Sequence, residues 1–470
     1  MGKSDAQPAK GMRDLLPEQA RRHAYVVGVI REVYESYGFQ PLQTPALERL
    51  GTLLGKYGEE GDQLLFKVLL RGQPLLEGIQ AASAHVADDA NVVQGRSGRT
   101  APGAETLLSD LGLRYDLTVP LARVCAGYQG KLPAVFKRYQ IQPVWRADTP
   151  GKGRFREFYQ CDVDVVGSDS LVVEVEVVAA ASECLRRLGF EDFTLRLNHR
   201  GLLRALVEVA GIPNELEHSA IVAIDKLDKI GADGVRRELL ERGVGEAPSE
   251  ALLELLGDEP TIEHLSGSLA EHEGGSRALS ELQQVLKLAA CTPAAEHLRF
   301  DVALARGLSY YTGCIIEAQV PDLAGSLGGG GRYDGLVGMF SGRDVPACGF
   351  ALGLERILVV MEERGLYPKS LTHADVLLAP VRAEGLGRAL ELSQHLRRAG
   401  LRVDLRPKAV KPGKLRQQAE AEGVAAAVWV ENADSSRASL WTAQDKQSQS
   451  DLEIDAILER LGTQAAENPS

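Results

Sequence analysis

Long apolar runs are missing from this sequence: no stretch approaches the roughly 20 residues that a bilayer-spanning helix needs. The opening MGKSDAQPAKG also lacks an apolar segment of the signal-peptide kind. Aromatics are scarce at 5%, and the six cysteines are never closer than 23 residues apart, so there is no CxxC pair and no compact disulfide or zinc pattern. The nine histidines are scattered without HExxH or a close pair, which argues against a protein-held metal site. Nor is positive charge in excess: 53 Lys and Arg stand against 65 Asp and Glu, a formal net charge of -12. That balance disfavours non-specific nucleic-acid binding, which rests on phosphate neutralisation, but leaves room for a local basic surface. These absences predict a soluble, non-secreted, cytoplasmic protein in a reducing compartment, with no membrane segment. What is present is ordinary globular composition, 44% hydrophobic and 25% charged over 470 residues. A chain of that length forms more than one core.

Along the chain, Asp14-Leu-Leu-Pro-Glu18 opens a helical stretch that Gly38 stops near Tyr37. Phe39 to Leu47 (FQPLQTPAL) reads as a proline-interrupted strand, hence one at an edge or interface. Arg71 to about Asp110 loses periodicity and reads as a surface insertion. Three period-two segments are expected between Leu113 and Gly167, then a helix over Asp169 to Leu188 and a strand from Phe193 to Leu197. From Gly201 to about Ala295 the pattern is almost wholly helical, while strands dominate on both sides. Strands are expected again at Phe300 to Val320 and Gly329 to Val337, then a helix from Phe350 to Glu363. From Ala374, strand and helix alternate as in a small α/β domain. Its stretch Arg382 to Arg416 carries ten basic residues against three acidic ones.

Chemistry gathers in a hairpin-like pair, Val135 to Arg146 and Phe155 to Gly167. In each strand one parity is apolar and the other polar, which an antiparallel sheet with one solvated face would explain. The connecting loop adds Lys152, Arg154 and Arg156 to Arg146 around glycines, a plausible polyphosphate clamp. In FDVALARGLSYYTG, Arg306 falls in an apolar phase, and a buried guanidinium needs an anion: either a ligand or an internal partner such as Asp116 or Asp164. The run Gly328 to Gly335 (GGGGRYDG) has neither the phosphate-loop nor the dinucleotide order, and is compatible with a tight bend or with close approach to its backbone. Gly349 to Arg356 (GFALGLER) sets an arginine at the start of an apolar helix.

Together the segments KGMRDLLP, GFQPLQTPALE, LRYDLTVPLAR, VWRADTPGKGRFREFYQCDVDVVG, ARGLSYYTG, GGGGRYDGL and GFALGLER resemble, in order and spacing, the class II aminoacyl-tRNA synthetases of the histidyl-tRNA synthetase family. Neither HIGH nor KMSKS, the class I signatures, occurs. The resemblance implies an α+β catalytic domain, an antiparallel sheet flanked by helices, split into 1–197 and 297–370 around a helical insertion at 198–296. It also implies a C-terminal α/β anticodon-binding domain at 371–470. The substrates implied are histidine, ATP with Mg²⁺, and tRNA, and the assembly implied is a homodimer through the proline-bearing edge strand.

Carried over position by position, the resemblance makes Arg146 and Arg306 the catalytic cations on the α-phosphate. Arg154 and Arg356 would meet the outer phosphates, and Phe158 would stack on adenine. Asp116, Thr118, Gln160, Asp164 and Arg306 would bind histidine, with Tyr310, Tyr311 and Tyr333 around its ring. Two positions depart from the pattern: Ser309 stands where the signature usually has an acid, and Asp116 where many bacterial members have glutamate. The rival implied by the same fold is a synthetase-like regulatory subunit of ATP phosphoribosyltransferase. Such paralogues usually lose phosphate-facing arginines and the C-terminal domain, and this sequence keeps both.

Overall fold

The computed structural model describes residues 6–55, 64–88, 107–257, 260–305, 310–432 and 437–467. Arg306 and Ser309 therefore lie outside the described residues, as do residues 89–106 of the 71–110 insertion, while a helix covers Gln73–Asp88 of it. The chain divides into two compact units, Met1–Arg13 with Val26–Glu363, and Asp14–Tyr25 with Arg364–Ser470.

In the first unit the strands are β1 (Gln40–Pro41), β2 (Leu47–Arg49), β3 (Lys67–Leu69), β4 (Ser109–Leu113), β5 (Phe136–Trp145), β6 (Glu157–Val166), β7 (Thr194–His199), β8 (Leu298–Phe300), β9 (Cys314–Gln319), β10 (Gly328–Arg332) and β11 (Ala347–Gly353). Eight of them form one mixed sheet in the order β1-β5-β6-β11-β10-β9-β7-β8, while β2-β4-β3 form a small one. The six inner strands are antiparallel neighbours; β1 and β8 add a parallel pair at each edge. β1, with Pro41, sits at the edge, where a strand proline is readily accommodated. Helices between Arg200 and Ala289 connect β7 to β8, which lie side by side, so this excursion leaves and re-enters the sheet at neighbouring strands.

Several segments differ from the sequence expectation, among them Gly329 to Val337, where the strand ends at Arg332 and a helix starts at Asp334. Thr118–Gly127 is a helix rather than a strand, its Val119, Leu121, Ala122 and Cys125 buried against Leu336 and Val337 of the helix Asp334–Ser341. Ala347–Gly353 is a central strand, and the helix begins only at Leu354. Short apolar runs do not reveal their period, and here burial between β6 and β10 decided for strand.

The helix Val172–Arg187 packs on β11 with an almost wholly buried face, Val173, Val177, Val178 and Ala181 among it. It also buries Glu174 completely, because the carboxylate meets Arg332 of β10 in a bidentate pair, Nε to Oε1 at 2.5 Å and Nη2 to Oε2 at 2.7 Å. Burial alone would lower the arginine's pKa, but Glu174 more than offsets it, so the net shift is upward. Glu174→Gln is expected to cost about 3 kcal/mol by removing the bidentate counter-charge of the buried guanidinium and leaving it only Asp334 at 3.3 Å. A shift in the midpoint of chemical denaturation measures this.

In the second unit β12 (Val376–Pro380), β13 (Val403–Leu405), β14 (Ala426–Val430), β15 (Ala438–Thr442) and β16 (Ser448–Leu452) run in the order β13-β12-β14-β15-β16, parallel through the first three and antiparallel beyond. Alternate residues of β12 face opposite layers. Val376 and Leu378 pack with Ala389, Leu392 and Leu396 of the helix Leu386–Arg398, while Leu377 and Ala379 pack with Leu415 and Ala419 of the helix Pro412–Glu422. All six cysteines are free thiols, five of them buried. No helix among the described residues is long and apolar enough to cross a membrane.

Candidate functional site

The polar parity of β5 and β6 is not a solvated face: Arg138, Gln140, Gln160, Asp162 and Asp164 are all buried. The face floors a cleft of about 540 Å³, a size typical of small-molecule sites. Its walls include Asp116 and Thr118 from the start of the helix Thr118–Gly127, Arg146 and Arg154 from the hairpin, Gly328 to Gly330 of β10, Tyr310, Tyr311 and Tyr333, and Glu355 and Arg356 from the helix Leu354–Arg364. Every site residue expected from sequence that is among the described residues lines this one cleft, and Arg306 is not among them.

Strand register grades the cleft along its length. Arg138 is opposite Asp164, Gln140 opposite Asp162, Gln142 opposite Gln160 and Val144 opposite Phe158, with Arg146 just beyond Trp145. On the other side of β6, Gly349 faces Asp164, Ala351 faces Asp162 and Gly353 faces Gln160, so Arg356 follows at the same end as Arg146. One end therefore carries arginines and Phe158, and the other carries acids and tyrosines.

At the arginine end, Arg146 is aimed by its Nε–H, which donates to the Tyr115 carbonyl at 2.9 Å, and its guanidinium lies 5.2 Å from the Phe158 ring centre. Arg356 donates to the Ser326 carbonyl. Glu355 accepts from the Tyr159 amide with both oxygens (3.1 and 3.0 Å), yet burial lifts its pKa to about 7 against that bond. Of the four hairpin cations, only Arg146 and Arg154 line the cleft. Lys152 is drawn to Glu363 at 2.7 Å, and Arg156 to the Asp148 carbonyl at 3.1 Å. Arg154 bonds Asp148 at 2.6 Å and is half-exposed. The opening GMR segment buttresses the hairpin: the Arg156 amide donates to the Gly11 carbonyl at 2.8 Å, and Arg13 lies over the Phe155 ring at 4.0 Å. Gly11, at φ +83°, leaves no space there for a Cβ, which would fall 2.8 Å from Arg156 Cγ.

At the acid end, Arg138 is fully buried, 2.9 Å from Asp164 and 3.6 Å from Asp162. Tyr333 donates its hydroxyl to the other Asp164 oxygen. Burial raises the pKa of both acids, and Arg138 opposes it. Burial also carries Asp116 to about 7, against the pull of Arg146 and of the Val119 amide, which donates to it at 3.3 Å. Tyr310 and Tyr333 meet edge-on at 5.9 Å, and Tyr310 and Tyr311 lie 4.7 Å apart. The glycine-rich run is neither a phosphate loop nor a bend. It is β10, a central strand, and Gly331 with Gly349 of β11 gives Tyr311 and Asp164 room to lie on the sheet. Arg138 and Asp162 have no role in the sequence reading. The signal available for Arg138 was the opposite charge of Asp164 at its paired position in the hairpin, whereas Asp162 is paired with Gln140 and offers no such signal.

The histidyl-tRNA synthetase family model matches residues 11–75 and 107–357, leaving out the segment between, which includes most of the helix Gln73–Asp88. The chain belongs to the histidyl-tRNA synthetase family. It is 44% identical over 415 residues to a histidine–tRNA ligase of Porphyromonas gingivalis, covering 87% of each chain. A histidine–tRNA ligase of Gloeobacter violaceus is 41% identical, over 89% of this chain and 90% of that one. Among solved structures, a histidyl-tRNA synthetase from a Nostoc species superposes with a TM-score of 0.79 at 29% identity, covering 98% of this chain and 99% of the other. A Bacillus halodurans structure, described as an ATP phosphoribosyltransferase regulatory subunit/histidyl-tRNA synthetase, shares the fold at a TM-score of 0.67 and 23% identity. Family membership accounts for the α+β class II architecture.

Proposed function

We propose that the cleft binds ATP at its arginine end and histidine at its acid end, and joins them as histidyl-adenylate. The chain is an aminoacyl-tRNA ligase specific for histidine, and the high identity to histidine–tRNA ligases over most of its length favours this over a regulatory subunit. The observation that carries the reading is the register-graded cleft, phosphate-type donors at one end and buried acceptors at the other.

In this reading Phe158 stacks on adenine, Arg146 meets the α-phosphate, and Arg154 and Arg356 receive the outer phosphates. A histidine carboxylate oxygen forms the new bond to the α-phosphorus while the bond to pyrophosphate breaks. The ribose hydroxyl at the tRNA 3′ end then attacks the histidyl carbonyl and releases AMP. No protein nucleophile is required, so the side chains act by positioning and charge neutralisation. Arg306 supplies the second α-phosphate cation. The stretch leading to it is held by Asn198 of β7, whose side-chain amide donates to the Val302 and Leu304 carbonyls, both at 2.9 Å. Asp116, Thr118 and Gln160 take the α-ammonium; Asp164 and the three tyrosines surround the ring. Mg²⁺ comes with ATP, and Glu317 and Glu355 in the cleft wall are hard oxygen donors that would hold it. When bound, it screens phosphate charge.

The helical module at 198–296 and the C-terminal domain at 371–470 are assigned to the tRNA. In the latter, Arg402 pairs with Asp375, and Arg406 with Asp404 and Glu422, whereas Lys408, Lys411 and Lys414 are exposed around the start of the helix Pro412–Glu422. Those lysines are the electrostatic footprint assigned to the anticodon arm. A cytoplasmic homodimer completes the reading. The edge position of β1 and the exposed Leu47, Leu69, Leu76 and Ile79 support self-association.

Histidine-dependent exchange of pyrophosphate into ATP, with the other nineteen amino acids as controls, tests the reading: exchange with histidine alone is expected, and its absence in folded protein would refute it. The state of Asp116 adds a pH signature. The substrate ammonium requires the ionised carboxylate, so below about 7 a proton must first be displaced and the KM for histidine climbs toward tenfold per unit. Asp116→Asn is expected to flatten that limb, separating it from titration of the substrate ring. For folding the sign is opposite. The raised pKa means that the empty enzyme is favoured by protonation, so the penalty grows as pH rises from the ordinary carboxylate range and is complete above about 7.

A further inference from the structure

Asn198 of β7 is fully buried, and its register row crosses the sheet through Ile315, Gly331 and Gly349 to Asp164, which sets it on the cleft face. β8 pairs with β7 only as far as Phe300, opposite Leu197. One more backbone bond closes, from the Asp301 N–H to the Leu197 carbonyl at 3.0 Å. Residues Val302 to Ala305 then continue as irregular chain, yet all four are buried. Backbone polar groups in such a place need partners, and with no strand alongside, side chains must supply them. Asn198 does so with both N–H groups of its amide, which donate to the Val302 and Leu304 carbonyls at 2.9 Å each. Arg196, two residues earlier on the same face, pairs with one Asp301 oxygen, and the other accepts the Ala303 amide at 2.9 Å.

The amide is kept at a cost. Its Oδ1 has no donor among the described residues, a penalty that an apolar side chain would avoid. Two bonds from one nitrogen to carbonyls two residues apart fix the course of the chain, where a single bond would leave it free to turn. No near relative of the side chain does the same: aspartate has the shape without a donor, and serine has one donor where two are used. The chain fixed in this way runs directly into Arg306. We propose that Asn198 is a positioning residue for adenylation, whose amide sets the Val302–Leu304 backbone and with it the point from which Arg306 reaches the α-phosphate. The inference rests on the adenylation reading, in which Arg306 is the second α-phosphate cation, and extends it to the sheet beneath.

The test follows enzyme-bound histidyl-adenylate in a single turnover, with histidine and ATP saturating and no tRNA, in wild type and Asn198→Ser. The amplitude counts the active sites, and the rate constant reports their geometry. The expected result is a rate constant lowered about 10²-fold, the scale of a misplaced catalytic group, with the amplitude kept and the half-saturating histidine and ATP within about threefold of wild type. A lowered amplitude with an unchanged rate constant is the mark of a merely structural role and overturns the inference. In an Arg306→Ala background the same substitution is expected to cost less than about threefold, because its effect passes through that cation, and an equal loss in both backgrounds also overturns it. If Asn198→Ser does not fold, Asn198→Gln, which keeps both N–H groups on a longer stem, serves with the same readout. Failure of both to fold would assign Asn198 to folding alone and overturn the inference. Wild type that forms no adenylate, or Arg306→Ala that forms it at the wild-type rate, removes the reading beneath, whereas a slow Arg306→Ala beside an indifferent Asn198 variant removes this inference alone.

Discussion

Arg146→Ala is expected to lower the rate of histidine-dependent pyrophosphate exchange by about 10²- to 10³-fold, with the histidine KM changed only a few-fold and the melting temperature preserved. The argument is geometric. Arg146 spends its Nε–H on the Tyr115 carbonyl, and its terminal nitrogens make no protein hydrogen bond among the described residues. It is a pre-aimed donor pair at the end of β5, where it contributes little to packing. Charge on the α-phosphate grows as the carboxylate attacks, so the loss falls on the transition state more than on bound substrate. Arg146→Lys is expected to recover only part of the rate, because an ammonium cannot reproduce the planar fork. Single-turnover adenylate formation distinguishes this from slow product release. A variant within twofold of wild type would remove Arg146 from the reaction.

Gly330→Ala is expected to abolish folding of the catalytic unit, a loss of more than about 4 kcal/mol, beyond what ordinary substitutions cause. A Cβ at this position would stand 2.0 Å from the Gly349 carbonyl oxygen and 2.6 Å from Phe350 Cα. Both obstructing atoms are backbone of β11, the partner strand, so no side-chain rotation relieves the clash. β10 sits in the middle of the eight-stranded sheet, between β11 and β9, and separating it would break both ladders. Gly329→Ala provides the internal control: its Cβ would meet nothing closer than the Ile316 carbonyl at 3.5 Å, so that variant should fold and report instead on how closely the ligand approaches. Soluble yield and circular dichroism of the two variants give the comparison. A folded Gly330→Ala protein would contradict this packing of β10 on β11.

Much of the site is legible in the residues alone. The alternation in VWRADTPGKGRFREFYQCDVDVVG places Phe158, Gln160, Asp162 and Asp164 on one strand face, and the fold keeps them there. The environment of that face is not legible. A polar parity ordinarily faces water, whereas here the cleft walls, with Tyr310, Tyr311 and Tyr333 among them, shut it in. The hairpin cations show the same limit, since proximity in sequence suggests a fourfold clamp while Lys152 and Arg156 find other partners and do not line the cleft. Glu174 is the clearest case. Nothing in VVEVEVVAAASE marks it as a buried counter-ion, because Arg332 lies 158 residues away in the chain.

By itself the sequence determined the order of motifs, the face of each strand, the family, and the identities of the groups that line the cleft. These depend on residue type and on spacing within a strand or helix turn, which are local properties. Tertiary structure alone decided which polar groups are buried, which arginine serves which acid, and which acceptors await a donor. Those outcomes depend on what covers a face and on registers closed between distant segments, as when β11 seats Gly349 against Asp164 and sets Arg138 between Asp164 and Asp162 out of water. The cost of burying charge is set by that surrounding, and no local pattern contains it.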